Sequence, residues 1–153
     1  MLKPVGTQKR NANGRSFAIV ASRYNARYVD AMLRAAKAEL AHAGATVRIV
    51  RVPGAYEIPV VAKKLAGESP APSAILCLGV ILRGETTHAA HIGEAVSNAL
   101  MQIQIAHEIP VIHEVLLLEN EAQARARCLD RKHNRGTEAA QTALAMAEVM
   151  AAI

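Results

Sequence analysis

The chain has 153 residues, a formal net charge of +5, 52% hydrophobic side chains, two cysteines and no tryptophan. That is enough for one sizeable core and too little for two ordinary domains. No segment approaches the roughly 20 consecutive apolar residues of a membrane helix, Met1 to Gly14 lacks the apolar run of a signal peptide, and three tyrosines and one phenylalanine leave few rings for stacking nucleic-acid bases.

Residues 1–15 carry Lys3, Lys9, Arg10 and Arg15 among polar neighbours and are expected to form a flexible polar leader. Residues 16–153 are expected to form a single domain. Within it, "SFAIVA" (16–21) is a short apolar strand ending in the polar Ser-Arg-Tyr-Asn, and Val29, Met32, Leu33, Ala36 and Leu40 then recur at helical spacing up to Gly44, a C-terminal cap. Thr46 to Val52 alternates as a strand does. "VPGAYEIP" turns the chain into a helix running to about Ala66, with Pro59 tolerable only near its first turn.

After a Pro and Ser loop, "AILCLGVIL" (74–82) is apolar throughout and predicts a central strand buried on both faces. Gly84 to Thr87 ends it, and His88 to Glu108 predicts a long helix that Pro110 stops. "PVIHEVLLL" supplies a fourth strand. Asn120 with Gln123 resembles a capping box that opens a helix to about Asp130, and Gly136 is expected to separate it from a final Ala-rich helix. Strands alternating with helices through short connections predict a three-layer α/β/α, flavodoxin-like fold with a four-stranded parallel sheet. In such a sheet ligands bind beyond the carboxyl ends of the strands, which directs attention to Ser22–Asn25, Pro53–Glu57, Gly79–His88 and His113–Asn120.

Cys77, inside an apolar run, and Cys128, among arginines, form neither a disulfide framework nor a paired metal motif, so a reducing cytoplasm is expected. Cys128 is either a nucleophile activated by Arg127 or a partly buried helix residue. Glu57 either complements a helix dipole or accepts hydrogen bonds from ligand hydroxyls. "LGVILRGETTH" leaves a buried strand and enters a helix with exposed amides, which is either a phosphate cradle or an ordinary threonine-capped turn. His88, His91 and Glu94 lie three residues apart on that helix, a spacing open to a metal site or to a solvated face, although His88 stands at the strand-to-helix junction from which a general acid or base reaches a ligand. Arg125, Arg127, Arg131, Lys132 and Arg135 form either a solvated basic face or an anion site.

Taken together, "SRYN", "VPGAYEIP", "LGVILRGETTH", "ENEAQARAR" and "NRGTEAA", in this order from about Phe17 to Met150, resemble the 6,7-dimethyl-8-ribityllumazine synthase family. The resemblance implies a transferase of riboflavin biosynthesis. Such an enzyme condenses 5-amino-6-ribitylaminopyrimidinedione with 3,4-dihydroxy-2-butanone 4-phosphate, releases phosphate and water, and needs no metal or redox cofactor. It implies that Tyr24 stacks on the pyrimidine, that Glu57 holds ribityl hydroxyls beside Ala55 and Tyr56, and that the backbone of Val80 and Ile81 reads the heterocycle. Gly84, Glu85 and Thr86 would cradle the phosphate with Arg127 as guanidinium partner, and His88 would transfer protons.

Departures from the family pattern fall mainly on the fourth strand. His113 stands where a phenylalanine from a neighbouring subunit covers the pyrimidine, Glu114 replaces a glycine, and Leu117 and Leu118 replace threonines. Arg131 and Arg135 stand where lysines are common, and Ala89 and Ala90 follow His88 in place of an aromatic residue. The resemblance further implies a homo-pentamer in which His113, Arg127 and Arg131 complete a neighbour's site, and leaves open a 60-subunit shell of twelve pentamers and an association with riboflavin synthase. Small-molecule substrates are expected, and neither nucleic acid nor a membrane. The competing classes are a non-catalytic flavin- or phosphate-binding module and a metal hydrolase built on His88, His91 and Glu94.

Overall fold

The computed structural model describes all 153 residues. Strands β1 (Ser16–Ser22), β2 (Thr46–Val52), β3 (Ala74–Leu82) and β4 (Val111–Leu118) form one parallel sheet in the order β2-β1-β3-β4. This is the strand order with which a flavodoxin-like doubly wound sheet begins. Helices α1 (Ala26–His42) and α5 (Arg135–Ala152) cover one face, while α2 (Ile58–Ala66) and α3 (His88–His107) cover the other. A one-turn helix, α4 (Glu121–Ala124), follows β4.

β3 explains why the layers form. Leu76, Leu78 and Val80 point into the core shared with α1 and α5, whereas Ile75, Cys77 and Ile81 point into the core shared with α2 and α3. A strand covered by helices on both faces must be apolar at every position, as this one is. At Gly79 an added Cβ would meet Val115, Ile58 and the Ser22 hydroxyl at 3.2–3.4 Å, so glycine lets these three side chains close over the strand. Edge strand β2 is exposed at Thr46 and Arg48 and becomes buried by Val52. Its Arg51 guanidinium donates to the carbonyls of Ala21 and Ser22 and pairs with Asp30 at 2.7 Å, which ties the end of β1 to α1.

Helix ends follow local chemistry. Asn25 before α1 and Gly44 after it adopt left-handed backbones at φ 57° and 77°, conformations that asparagine and glycine tolerate best. Pro59 lies in the first turn of α2, where its missing N–H costs nothing. The predicted helix from Asn120 to Asp130 is shorter than its pattern suggested. Asn120 does accept the Gln123 N–H at 2.9 Å, with Gln123 Oε1 accepting from Glu119, but α4 gives way after Ala124 to a π-helical turn over Arg125–Leu129. The Asp130 N–H reaches back to the Arg125 carbonyl, and the wider turn carries Cys128 fully into the core.

Gly136 does not separate two helices as expected. It lies inside the first turn of α5, behind the Asn134 cap, whose Oδ1 accepts the Gly136 N–H at 2.8 Å and whose Nδ2 donates to the Cys128 carbonyl at 2.7 Å. The glycine is needed for the close crossing of α5 over α1. The leader runs along α5: the Val5 N–H donates to the Lys132 carbonyl, the Gln8 N–H to Gln141 Oε1, and Arg10 pairs with Glu148 at 2.9 Å. No helix is long and apolar enough to cross a membrane.

Candidate active site

The loops after β1, β2 and β3 meet at the carboxyl end of the sheet because these strands are adjacent. Arg23 donates its N–H to the Val52 carbonyl at 2.8 Å and Tyr24 donates to the Pro53 carbonyl at 2.9 Å, so the first loop is laced to the second. Asn25 Nδ2 donates to the Val80 carbonyl at 2.7 Å and laces the first loop to β3. Between them opens a cleft of about 590 Å³, a volume suited to a small organic ligand.

Each wall has its own chemistry. The first loop contributes Tyr24 and Asn25, and the second contributes Gly54 to Glu57. Tyr24 and Tyr56 are 74% and 66% exposed, so their rings are held out of the core and available to a ligand. The Glu57 carboxylate lies over Gly54, 3.6 Å from where a Cβ on that glycine would stand, while the Glu57 N–H donates to the Gly54 carbonyl across the short 3-10 turn Ala55–Glu57. Val80, Ile81 and Leu82 form the floor. Opposite, Gly84, Thr86 and His88 line the approach to α3, which begins at His88. Gly84 has open space around it, and Thr86 Oγ1 accepts the His88 N–H at 3.4 Å. An anion here would meet exposed backbone and the positive end of a 20-residue helix.

Of the residues singled out from the sequence, Tyr24, Ala55, Tyr56, Glu57, Val80, Ile81, Gly84, Thr86 and His88 line this one cleft, and Glu85 is exposed at its rim. His113, Arg127 and Arg131 are elsewhere. Arg127 lies with Arg135 and Glu138 in a separate cavity of about 920 Å³ between the leader and α5, where Arg135 and Glu138 are bonded to each other. His113 faces α3, bonded to Ser97. Arg131 is an exposed residue of the turn before α5. Asn25 was missed as a cleft residue. Its signal was the polar tetrapeptide at the end of β1, but its bond to Val80 spans 55 positions and has no local signature.

Several alternatives are resolved by packing. Both thiols are fully buried, and burial pushes Cys77 and Cys128 up to about 12, with the Glu114 carboxyl adding to the effect at Cys128 against the pull of Arg127 and Arg135. Cys128 is therefore a core thiol and not an activated nucleophile. His88, His91 and Glu94 do not converge, and no three His, Cys, Asp or Glu side chains form a metal-binding group.

Sequence comparison covers nearly the whole chain. The family model described as 6,7-dimethyl-8-ribityllumazine synthase matches residues 14–151. The chain belongs to this family. A 6,7-dimethyl-8-ribityllumazine synthase of Stenotrophomonas maltophilia (strain R551-3) is 38% identical over 144 residues, 92% of either chain. Synthases of the same name from Xanthomonas oryzae pv. oryzae (strain PXO99A) and Xanthomonas campestris pv. campestris (strain B100) are 39% and 38% identical over 137 residues, 88% of each chain. The lumazine synthase match spans all four strands and both core layers, so membership covers the elements that build the cleft.

Proposed function

We infer that the protein catalyses a step of riboflavin biosynthesis, the condensation of 5-amino-6-ribitylaminopyrimidinedione with 3,4-dihydroxy-2-butanone 4-phosphate to 6,7-dimethyl-8-ribityllumazine, with loss of phosphate and water. The observation that carries this reading is the gathering of Tyr24, Glu57, Val80, Gly84, Thr86 and His88 on one cleft at the carboxyl end of the sheet. Each wall suits one part of that chemistry. An exposed tyrosine ring offers a π-face to a pyrimidine, and a carboxylate accepts hydrogen bonds from ribityl hydroxyls. Exposed amides at a helix start bind phosphate. Joining an amine to a ketone with loss of water requires protons to be delivered and removed, and His88 is the imidazole that borders the cleft.

The active unit in this reading is a homo-pentamer. Arg127, Arg131 and His113 lie outside the cleft of their own chain, which supports a site completed by an adjacent subunit. Val60 on α2 and Met101 and Ile105 on α3 are 54–69% exposed, apolar surface of the kind that copies bury between them. The fully buried thiols accord with a reducing cytoplasm. Incubation with both substrates tests the activity: a lumazine absorbance band rising in step with phosphate is expected. Ligand binding without product would favour a non-catalytic module. Light scattering on the active protein is expected to report at least a pentamer, with a particle of twelve pentamers marking the shell; a monomer with full activity would overturn the shared site.

A further inference from the structure

β4 and α3 are joined by a polar bond that lies outside the cleft. His113, on the α3-facing side of β4, has Nε2 2.7 Å from Ser97 Oγ. On the ring's other side, the Val115 backbone N–H donates to His113 Nδ1 at 3.2 Å. A backbone amide can only donate, so the nitrogen it points at must carry a lone pair. The single proton of the neutral ring therefore sits on Nε2, which donates to Ser97 Oγ. A second proton on Nδ1 would set two N–H groups against each other. Burial acts in the same direction and holds His113 below the ordinary histidine range, outweighing a hydrogen bond with its own backbone that favours the charged ring.

These contacts occupy both ring nitrogens while the residue stays exposed. Neither nitrogen is left to exchange a proton with a ligand, so what the ring can still offer is an uncharged planar face. Such a face suits a planar heteroaromatic ring. A serine hydroxyl accepts one bond and keeps its own rotatable proton, so it can hold Nε2–H without demanding a charge.

We propose that Ser97 is a positioning residue: its Oγ holds His113 as the neutral Nε2–H tautomer in one ring orientation, so that the imidazole face covers a planar heterocycle bound in the adjacent subunit's cleft. The placement of that heterocycle rests on the shared-site reading above; the tautomer rests on the two hydrogen bonds alone. Without Ser97 only the longer bond from the Val115 amide, 3.2 Å, still holds the ring, which then flips and exchanges tautomers more readily and covers the heterocycle only part of the time.

The test combines nitrogen NMR of the full-length protein labelled with ¹⁵N-histidine and calorimetric binding of the ribitylaminopyrimidinedione. The parent should show His113 with a protonated Nε2 and a bare Nδ1. Ser97→Ala should give averaged ring signals and weaken pyrimidine binding about three- to tenfold, the worth of one neutral hydrogen bond, with binding of the butanone phosphate unchanged. Ser97→Thr should restore both readouts. In a His113→Phe background, where the ring needs no tether, Ser97→Ala should have no further effect. A parent with mixed tautomers, or Ser97→Ala binding the pyrimidine as the parent does, overturns the positioning role and leaves the functional reading intact. A parent that neither binds the pyrimidine nor forms lumazine sinks both.

Discussion

Gly136 on α5 lies so close to Met32 on α1 that a Cβ added to the glycine would stand 1.9 Å from the Met32 carbonyl oxygen and 2.6 Å from its carbonyl carbon. The obstacle is backbone, which cannot rotate away. Around this crossing Ala139, Ala140 and Ala143 are buried with Ala36 and Leu40, so small residues on α5 let the helices approach. Gly136→Ala should therefore force the helices apart and destabilise the fold by about 1–3 kcal/mol, even though alanine is the better helix former. Urea unfolding of the variant checks this; an unchanged or higher midpoint would show that the crossing relaxes without cost.

His88 is exposed at the first position of α3 and contributes little to packing. His88→Ala should leave the thermal unfolding midpoint within a degree or two while slowing lumazine formation by about 10²–10⁴-fold, the usual worth of general acid–base assistance. Stopped-flow absorbance with both substrates measures the rate. A variant as fast as the parent removes His88 from proton transfer.

Arg127 lines the cavity beneath the leader beside Arg135, which is already bonded to Glu138. Arg127→Ala should weaken binding of the butanone phosphate by about 1.5–3 kcal/mol, the worth of one charge-assisted hydrogen bond, and leave the pyrimidine nearly unaffected. Titration of each substrate separately decides. Equal losses for the two would place Arg127 away from the phosphate.

Glu114 opposes Leu78 in the sheet register and is held in the layer beneath α5. Burial raises its pKa to about 8 from 4.5, with the nearby Glu138 carboxylate adding to the rise and Arg135 opposing it. Between these two values the folded chain keeps a proton that the unfolded chain releases, so this group's contribution to stability declines as pH rises from 4.5 towards 8. Glu114→Gln imitates the protonated carboxyl and removes the decline. The variant should match the parent at about pH 5 and exceed it by roughly 2–4 kcal/mol at about pH 9. Denaturation curves at both pH values test the sign; a variant less stable than the parent under alkaline conditions would contradict it.

How much of this was legible beforehand depends on how far along the chain each cause reaches. The four strands, the long helices, the Gly44 cap and the Asn120 to Gln123 bond rest on hydrophobic period and on contacts within a few residues, which an amino-acid string displays directly. The motifs around Tyr24, Glu57 and His88 were visible for the same reason, and strand alternation already directed attention to the carboxyl end of the sheet.

By itself, then, the sequence determined the four strands and the long helices, the parallel three-layer architecture and the resemblance to the family. The tertiary structure decided what depends on which distant segments touch. Strand order β2-β1-β3-β4 brings three loops to one cleft, and Asn25 locks two of them together through Val80. Packing of α5 on α1 turns Gly136 from an apparent break into a point of close approach, and the core under the π-helical turn makes Cys128 inert. His113 is the sharpest case: its residue type permits two neutral tautomers and a cation, and the Val115 amide, which can only donate to Nδ1, selects one of them, while the Ser97 hydroxyl holds the opposite nitrogen.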